Sequence, residues 1–412
     1  MDENNFYYFY LRLFIFGEIF TYFVNILFFM DSLVIEPKKE RLTFIDVMRG
    51  IAVLWMVETH VIDVVLANYF KAGSFYTLLN ISNGMVAVSF LFCAGAGFWL
   101  ASMKKLNDYR SFKKPLWVYL RRLGLILIIA YWLHFPALSL ERFYKLTPES
   151  WVSFFQIDIL QTIVYSSFLA LIIVFLVPNF RILPYIFFIL CLFFGFLAPV
   201  VLSWDSMAAL PDYIGTLFAR YPVSKFPLFP WSGYFFGGAA LTAVFMSSEN
   251  KKQLAIWLFS IFFVLMFVLF FTRDLTNYTD SFKEWWISNP AHFLFRLSCA
   301  IWVFSFLYLI EKSYKNTFLG KSLVLFGQES LFVYTFHLLV VYGSVANFGM
   351  KYLVGSRLDW FGSFLIIIAL WIVCYALAFA WKSIKEKDMK LARLVIGSVF
   401  LLFIIIFILN LA

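Results

Sequence analysis

The sequence predicts an all-α fold, a polytopic integral membrane helix bundle of about 11–12 transmembrane helices. Three observations carry that expectation. Of 412 residues, 63% are hydrophobic and only 14% charged, with a mean hydropathy of +0.85, whereas soluble domains carry about 25% charged residues. The apolar residues fall into about a dozen runs of the roughly 20 residues needed to cross a hydrocarbon layer about 30 Å thick. Basic residues alternate between the loops: of the 33 Lys and Arg, 21 fall on one side and 9 on the other.

The first run, roughly 11–33, follows an acidic start at Asp2 and Glu3 and lacks a small-residue cleavage site, so it reads as a retained helix and not a signal peptide. A second, at 44–67, is apolar but carries Asp46, Arg49, Glu58, His60 and Asp63. The third, at 82–102, contains Ala94, Gly95, Ala96 and Gly97, which either let a neighbouring backbone approach or leave a slot for a narrow ligand. Further apolar runs follow at 120–140, 155–178 and 182–203. The span at 229–247 opens on Pro227 and Pro230, residues tolerated in a first helical turn. Further runs lie at 254–272, 291–310, 324–342, 361–381 and 393–411.

Twelve such spans put both termini on one side. By the positive-inside rule the 21-charge side, which includes Lys104 to Arg122 and Lys382 to Arg393, is cytoplasmic. The opposite loops, such as Trp204–Pro230 and Arg273–Pro290, are longer and richer in Trp, Pro and Asp. The net charge of +9 therefore has a topological origin, and no aromatic-interleaved basic stripe supports binding of nucleic acid. Cys93, Cys191, Cys299 and Cys374 all lie within apolar runs without a CxxC pair, which argues against disulfides and thiolate metal sites.

A charge near mid-bilayer costs at least ~2.5 kcal/mol on insertion scales, so each ionisable residue there is a functional candidate. Arg49 and His60 are eleven positions apart, about three turns plus 20°, which places them on one helix face about 16 Å apart. Asp46 stands three positions before Arg49 and Asp63 three after His60, both at pairing distance along a helix. Glu58 points the other way. Histidine is the side chain best suited to proton transfer near neutral pH. His60 is thus the leading candidate base, oriented by Asp63 or by a tyrosine such as Tyr334. His337, in SLFVYTFHLLVVYG, sits at a similar depth in its own span, and His134 and His292 fall near helix ends on that same side. The candidate catalytic residues are His60, Asp63 and His337. A metal is not expected, because no HxxxH or HxxE spacing is present.

FIDVMRG followed by His60 resembles the opening motif of the transmembrane acyltransferase superfamily, an arginine and a histidine separated by ten residues. FLFCAGAGFWLA, FQIDILQ, FPLFPWSGYFFGGA and SLFVYTFHLLVVYG look like the successive blocks of bacterial proteins similar to the heparan-α-glucosaminide N-acetyltransferase catalytic domain, an acyltransferase 3-related group. The resemblance spans residues 41–345. It makes that segment a membrane acyltransferase core, with an extra helix and loop at 1–40 and two further helices in 346–412.

The resemblance implies transfer of an acyl group, usually acetyl, from acetyl-CoA or another cytoplasmic acyl-CoA to a hydroxyl or amine of a cell-envelope glycan or lipid-linked saccharide on the opposite face. It also implies a multi-pass protein of the bacterial inner (plasma) membrane, with the lipid bilayer as partner and a homo-oligomer compatible with the pattern. His60 is then the catalytic residue. Cationic Arg49, with Asp46, Gly95 and Gly97 nearby, is the expected donor-binding group, since its charge suits CoA phosphates. Two other classes fit a polar stripe in a bundle: a proton-coupled transporter, against which no pair of Gly- or Pro-broken spans is found, and an inactive family member serving as a scaffold.

Overall fold

The computed structural model describes residues 42–219, 222–272, 289–344 and 347–409. The expected span at 11–33 lies outside these residues, as does most of the 273–290 loop. The described chain is almost wholly helical, and its only strands form a hairpin of Gly343–Ser344 with Asn347–Phe348.

The long helices are α1 (Thr43–Val65), α2 (Ser74–Asn83), α3 (Met85–Met103), α4 (Lys114–Leu133), α5 (Ile159–Leu176), α6 (Leu183–Phe196), α7 (Leu228–Ser247), α8 (Lys251–Phe271), α9 (Pro290–Leu309), α10 (Phe318–Gln328), α11 (Ser330–Val341), α12 (Trp360–Lys387) and α13 (Met389–Leu409). Among the described residues nine helices are long and apolar enough to cross a bilayer, with α2 and α3 together making one of them. A tenth results if α10 and α11 count as a single span. The described chain is thus a multi-pass integral membrane helix bundle. Helix α1 is not among these, because Asp46, Arg49, Glu58 and Asp63 interrupt its apolar character.

Three elements depart from the sequence expectation. Helix α4 runs from 114 to 133 and not 120 to 140: Pro115 starts it in the first turn, and Pro136 follows its end, where residues before a proline disfavour helix. The third span is longer than expected because α2 leads into it, with the junction at Gly84. The expected continuous span at 324–342 is two helices that meet at Glu329 with a bend of 80°.

Two compact units divide the chain. The larger, Leu42–Phe135 with Thr147–Ala378, contains all residues of the site described below. Among the described residues, the smaller comprises Pro136–Leu146 and 379–409. Within it, α13 meets the short helix Leu140–Tyr144 through an edge-on contact of Phe143 and Phe407, ring centroids 5.9 Å apart.

In the larger unit α1 packs on α10 and α3, and α7 packs on α3 and α6. Lipid tails are as apolar as leucine, so close backbone approach and dispersion, not expulsion of water, drive such contacts. The α3–α7 interface achieves the approach with reciprocal glycines. A Cβ on Gly95 would fall 1.8 Å from Phe235 O, and one on Gly238 would fall 2.1 Å from Phe92 O. Buried rings of Phe92, Phe98, Phe187, Phe235 and Phe236 fill the space around this crossing.

Candidate functional site

Helix α1 carries the stripe, and the break between α10 and α11 receives its first member. Arg49 Nη1 donates to Gly327 O at 3.5 Å, and Nη2 donates to Cys93 O at 3.4 Å. Asp46 Oδ1 lies 3.6 Å from Arg49 Nη1. The last carbonyls of a helix lack partners and carry the negative end of its dipole, so a guanidinium at the C-terminus of α10 satisfies both. Gly327 permits the contact, since a Cβ there would collide with Asp46 O. Gly97 lies beside this cluster, its Cβ position 3.7 Å from Arg49 Nη2, whereas Gly95 is closed off by the backbone of α7. Of the four expected donor-binding residues, the structure brings Asp46, Arg49 and Gly97 together and assigns Gly95 to helix packing.

From that point α1 and α11 run side by side and meet again at the histidines. His60 Nδ1 and His337 Nε2 are 2.8 Å apart. The ring planes differ by only 10° with centroids 5.1 Å apart. One hydrogen bond plus two ring radii account for that separation, so the rings lie edge to edge in nearly one plane and are not stacked face to face. His337 is fully buried and its Nδ1 lies 2.9 Å from Val333 O. His60 is half-buried.

Asp63 does not orient His60. Its Oδ2 accepts from the Tyr342 hydroxyl at 3.1 Å, and its backbone carbonyl accepts from Lys71 Nζ at 2.6 Å. Tyr342 instead presents its ring edge-on to His60, centroids 5.4 Å apart. Burial, followed by the Asp63 charge, pushes the Tyr342 hydroxyl upward, which keeps it a donor. Tyr334 packs edge-on against His337, with centroids 5.8 Å apart. Glu58, about 200° around the helix from His60, lies away from this group, and its Oε2 is buried without a hydrogen-bond partner.

Two further charges were not singled out from the sequence. Besides Asp63, the charged groups whose fields reach His60 are Asp158 and Lys225. Asp158 caps α5 by accepting from Ile159 N at 2.7 Å, while Gln161 Oε1 accepts from Asp158 N at 3.2 Å. Its Oδ2 lies 3.4 Å from His134 Nε2, and Gln156 holds the other nitrogen of that ring at 3.0 Å. Burial pushes the Asp158 carboxyl up, but the hydrogen bond and charge of His134, with the charge of Lys225, outweigh it and hold it at about 2. Lys225 is placed by its own backbone: Lys225 N and Phe226 N both donate to Ile157 O, at 3.1 and 3.0 Å. Its ammonium stands 5.9 Å from the centroid of the Tyr342 ring.

A signal for Asp158 existed in FQIDILQ, because an acidic residue followed three positions later by glutamine is a helix-start pattern that places the carboxylate at a span's mouth. Lys225 had none, since loop closure alone brings it near Tyr342, and Tyr342 reaches His60 only because the end of α11 packs on α1. Among the described residues no cluster of three metal-ligating side chains is found.

Fold and site together define a multi-pass membrane protein with a polar stripe inside its bundle that ends in a histidine pair. The chain belongs to the family described as heparan-alpha-glucosaminide N-acetyltransferase, catalytic, whose profile matches residues 41–279. Membership makes it a membrane acetyltransferase in the broad sense. The match includes Arg49, His60 and Asp158; α10, α11 and His337 lie beyond it. No curated protein matches the chain.

Proposed function

We propose that this protein transfers an acetyl group from acetyl-CoA, bound at the Arg49 end of α1 on the cytoplasmic side, to a hydroxyl or amine of an envelope glycan at the His60 end. The single observation that supports this most is the pair of half-buried His60 and buried His337, hydrogen-bonded at 2.8 Å inside a bundle of this family. His60 acts as general base. As the acceptor oxygen or nitrogen attacks the thioester carbonyl, His60 takes its proton. The carbon–sulfur bond then breaks, and the departing thiolate recovers that proton from His60.

Arg49, with Gly97 of α3 beside it, sits about 16 Å along α1 from His60, a distance that the pantetheine arm of CoA spans between phosphates and thioester. The 9 Lys and Arg of one side against 21 of the other support this orientation. Purified protein in nanodiscs, given acetyl-CoA and a glucosamine-bearing oligosaccharide, should release free thiol. His60→Ala should lower that rate by about 10²–10⁴-fold with an unchanged Tm, and wild-type turnover in that variant would sink the reading.

One observation favours a transporter: the span broken at Glu329, since transporters build substrate sites from discontinuous helices. Uptake of labelled glycan into proteoliposomes without any acyl donor would support that alternative.

A further inference from the structure

Two polar contacts in line fix where the protons of the histidine pair must be. A carbonyl oxygen has no proton to give, so the 2.9 Å contact of His337 Nδ1 with Val333 O requires a hydrogen on that nitrogen. A neutral imidazole carries one N–H, which leaves His337 Nε2 with a lone pair. That lone pair faces His60 Nδ1 at 2.8 Å, so His60 Nδ1 must donate. The remaining nitrogen, His60 Nε2, then bears the lone pair. The 10° angle between the ring planes keeps the bond within the plane of both rings, where the N–H and the lone pair lie.

We infer that His337 is a positioning residue: it holds His60 in the Nδ1–H tautomer and thereby selects Nε2 as the atom that accepts the proton of the acyl acceptor. The inference rests on the reading of His60 as general base. His337, fully buried behind His60, acts through that ring and does not itself touch substrate. Its far end is a backbone carbonyl and not a carboxylate, so the pair gains orientation without placing a negative charge inside the membrane. The relay also has a definite failure state. If His337 takes up a proton, both its nitrogens become donors, and His60 can keep the contact only by turning its Nδ1 lone pair toward His337. The hydrogen then sits on Nε2, and the base is lost.

The test compares His337→Gln, His337→Asn and His337→Ala in the full chain, in nanodiscs, by thiol release from acetyl-CoA with the glucosamine-bearing oligosaccharide. Glutamine carries an acceptor oxygen near the position of Nε2. Asparagine reaches only as far as Nδ1, and so keeps the Val333 side of the relay and loses the His60 side. His337→Gln should keep kcat within about tenfold of wild type. His337→Asn and His337→Ala should both lose about a hundredfold or more, with the KM for acetyl-CoA and the Tm unchanged. Equal loss in the glutamine and asparagine variants, or wild-type kcat in either His337→Asn or His337→Ala, overturns the inference. His60→Ala separates the two readings: if it is inactive while His337→Asn is not, only the relay fails, and if it is active, the base assignment itself fails.

Discussion

His60 Nδ1 meets Nε2 of another histidine 277 positions away in sequence, and on the reading proposed above that neighbour decides which nitrogen of the base is free. Sequence reading reached both residues, because an ionisable side chain in an apolar run stands out. It did not reach their contact, and it looked to Asp63 or Tyr334 to orient His60, since packing between helices is not visible in spacing along the chain. Asp158 shows the same limit. Its charge is set by His134 and Lys225, which come from other parts of the chain. This gives a pH prediction with a definite sign. A carboxyl held at about 2 against an ordinary 3.8 favours the folded state above pH ~4, and that contribution fades as pH falls through 2. The Tm gap between wild type and Asp158→Asn should therefore be present near pH 4–5 and shrink as the pH falls toward 2. A gap that does not change with pH would show that the carboxylate charge contributes nothing.

At the scale of elements, small residues determine which helices touch. The run Ala94 to Gly97 was legible as either close packing or a ligand slot, and the structure divides it: Gly95 admits the backbone of α7, while Gly97 borders Arg49. Gly95→Val should lower the Tm, at a cost of about 1–3 kcal/mol for overpacking, while Gly97→Ala, whose added carbon meets only the end of the Arg49 side chain, should leave it nearly unchanged. Equal Tm values for the two would contradict this division. Arg49 joins three helices by reaching carbonyls on α3 and α10 from α1. Arg49→Lys keeps the charge but not the planar fork that reaches two carbonyls at once, so it should destabilise the fold even without CoA, and thermal melting of the free protein checks it. The 80° break at Glu329 coincides with the polar stretch Gln328 to Ser330, but no proline marks the junction and the run on either side is apolar enough to read as one span.

For the whole molecule, hydropathy and charge alternation were enough to define a multi-pass helical protein, since each span must satisfy the bilayer on its own. They could not indicate which spans neighbour one another. The orientation predicts that single cysteines placed at Lys113 and at Asn68, both in exposed connections of the larger unit, react with a membrane-impermeant reagent from opposite sides. Reaction from the same side would contradict the assigned orientation. The two points where α1 meets the broken pair α10 and α11 have a further consequence. They resemble the rungs of a ladder, the lower formed by Arg49 with Gly327 and the upper by His60 with His337. Between rungs the α1 rail has ten residues and the other nine, the latter bent by 80° at Glu329, so within a continuous helical stretch neither can gain or lose a residue without turning its upper partner by about 100°. Conservative replacements within 50–59 or 330–336 should then be tolerated far better than a one-residue insertion or deletion there, while the same change in the 104–113 connection should matter little. In this stretch the number of residues between the contacts constrains the protein more tightly than their identity.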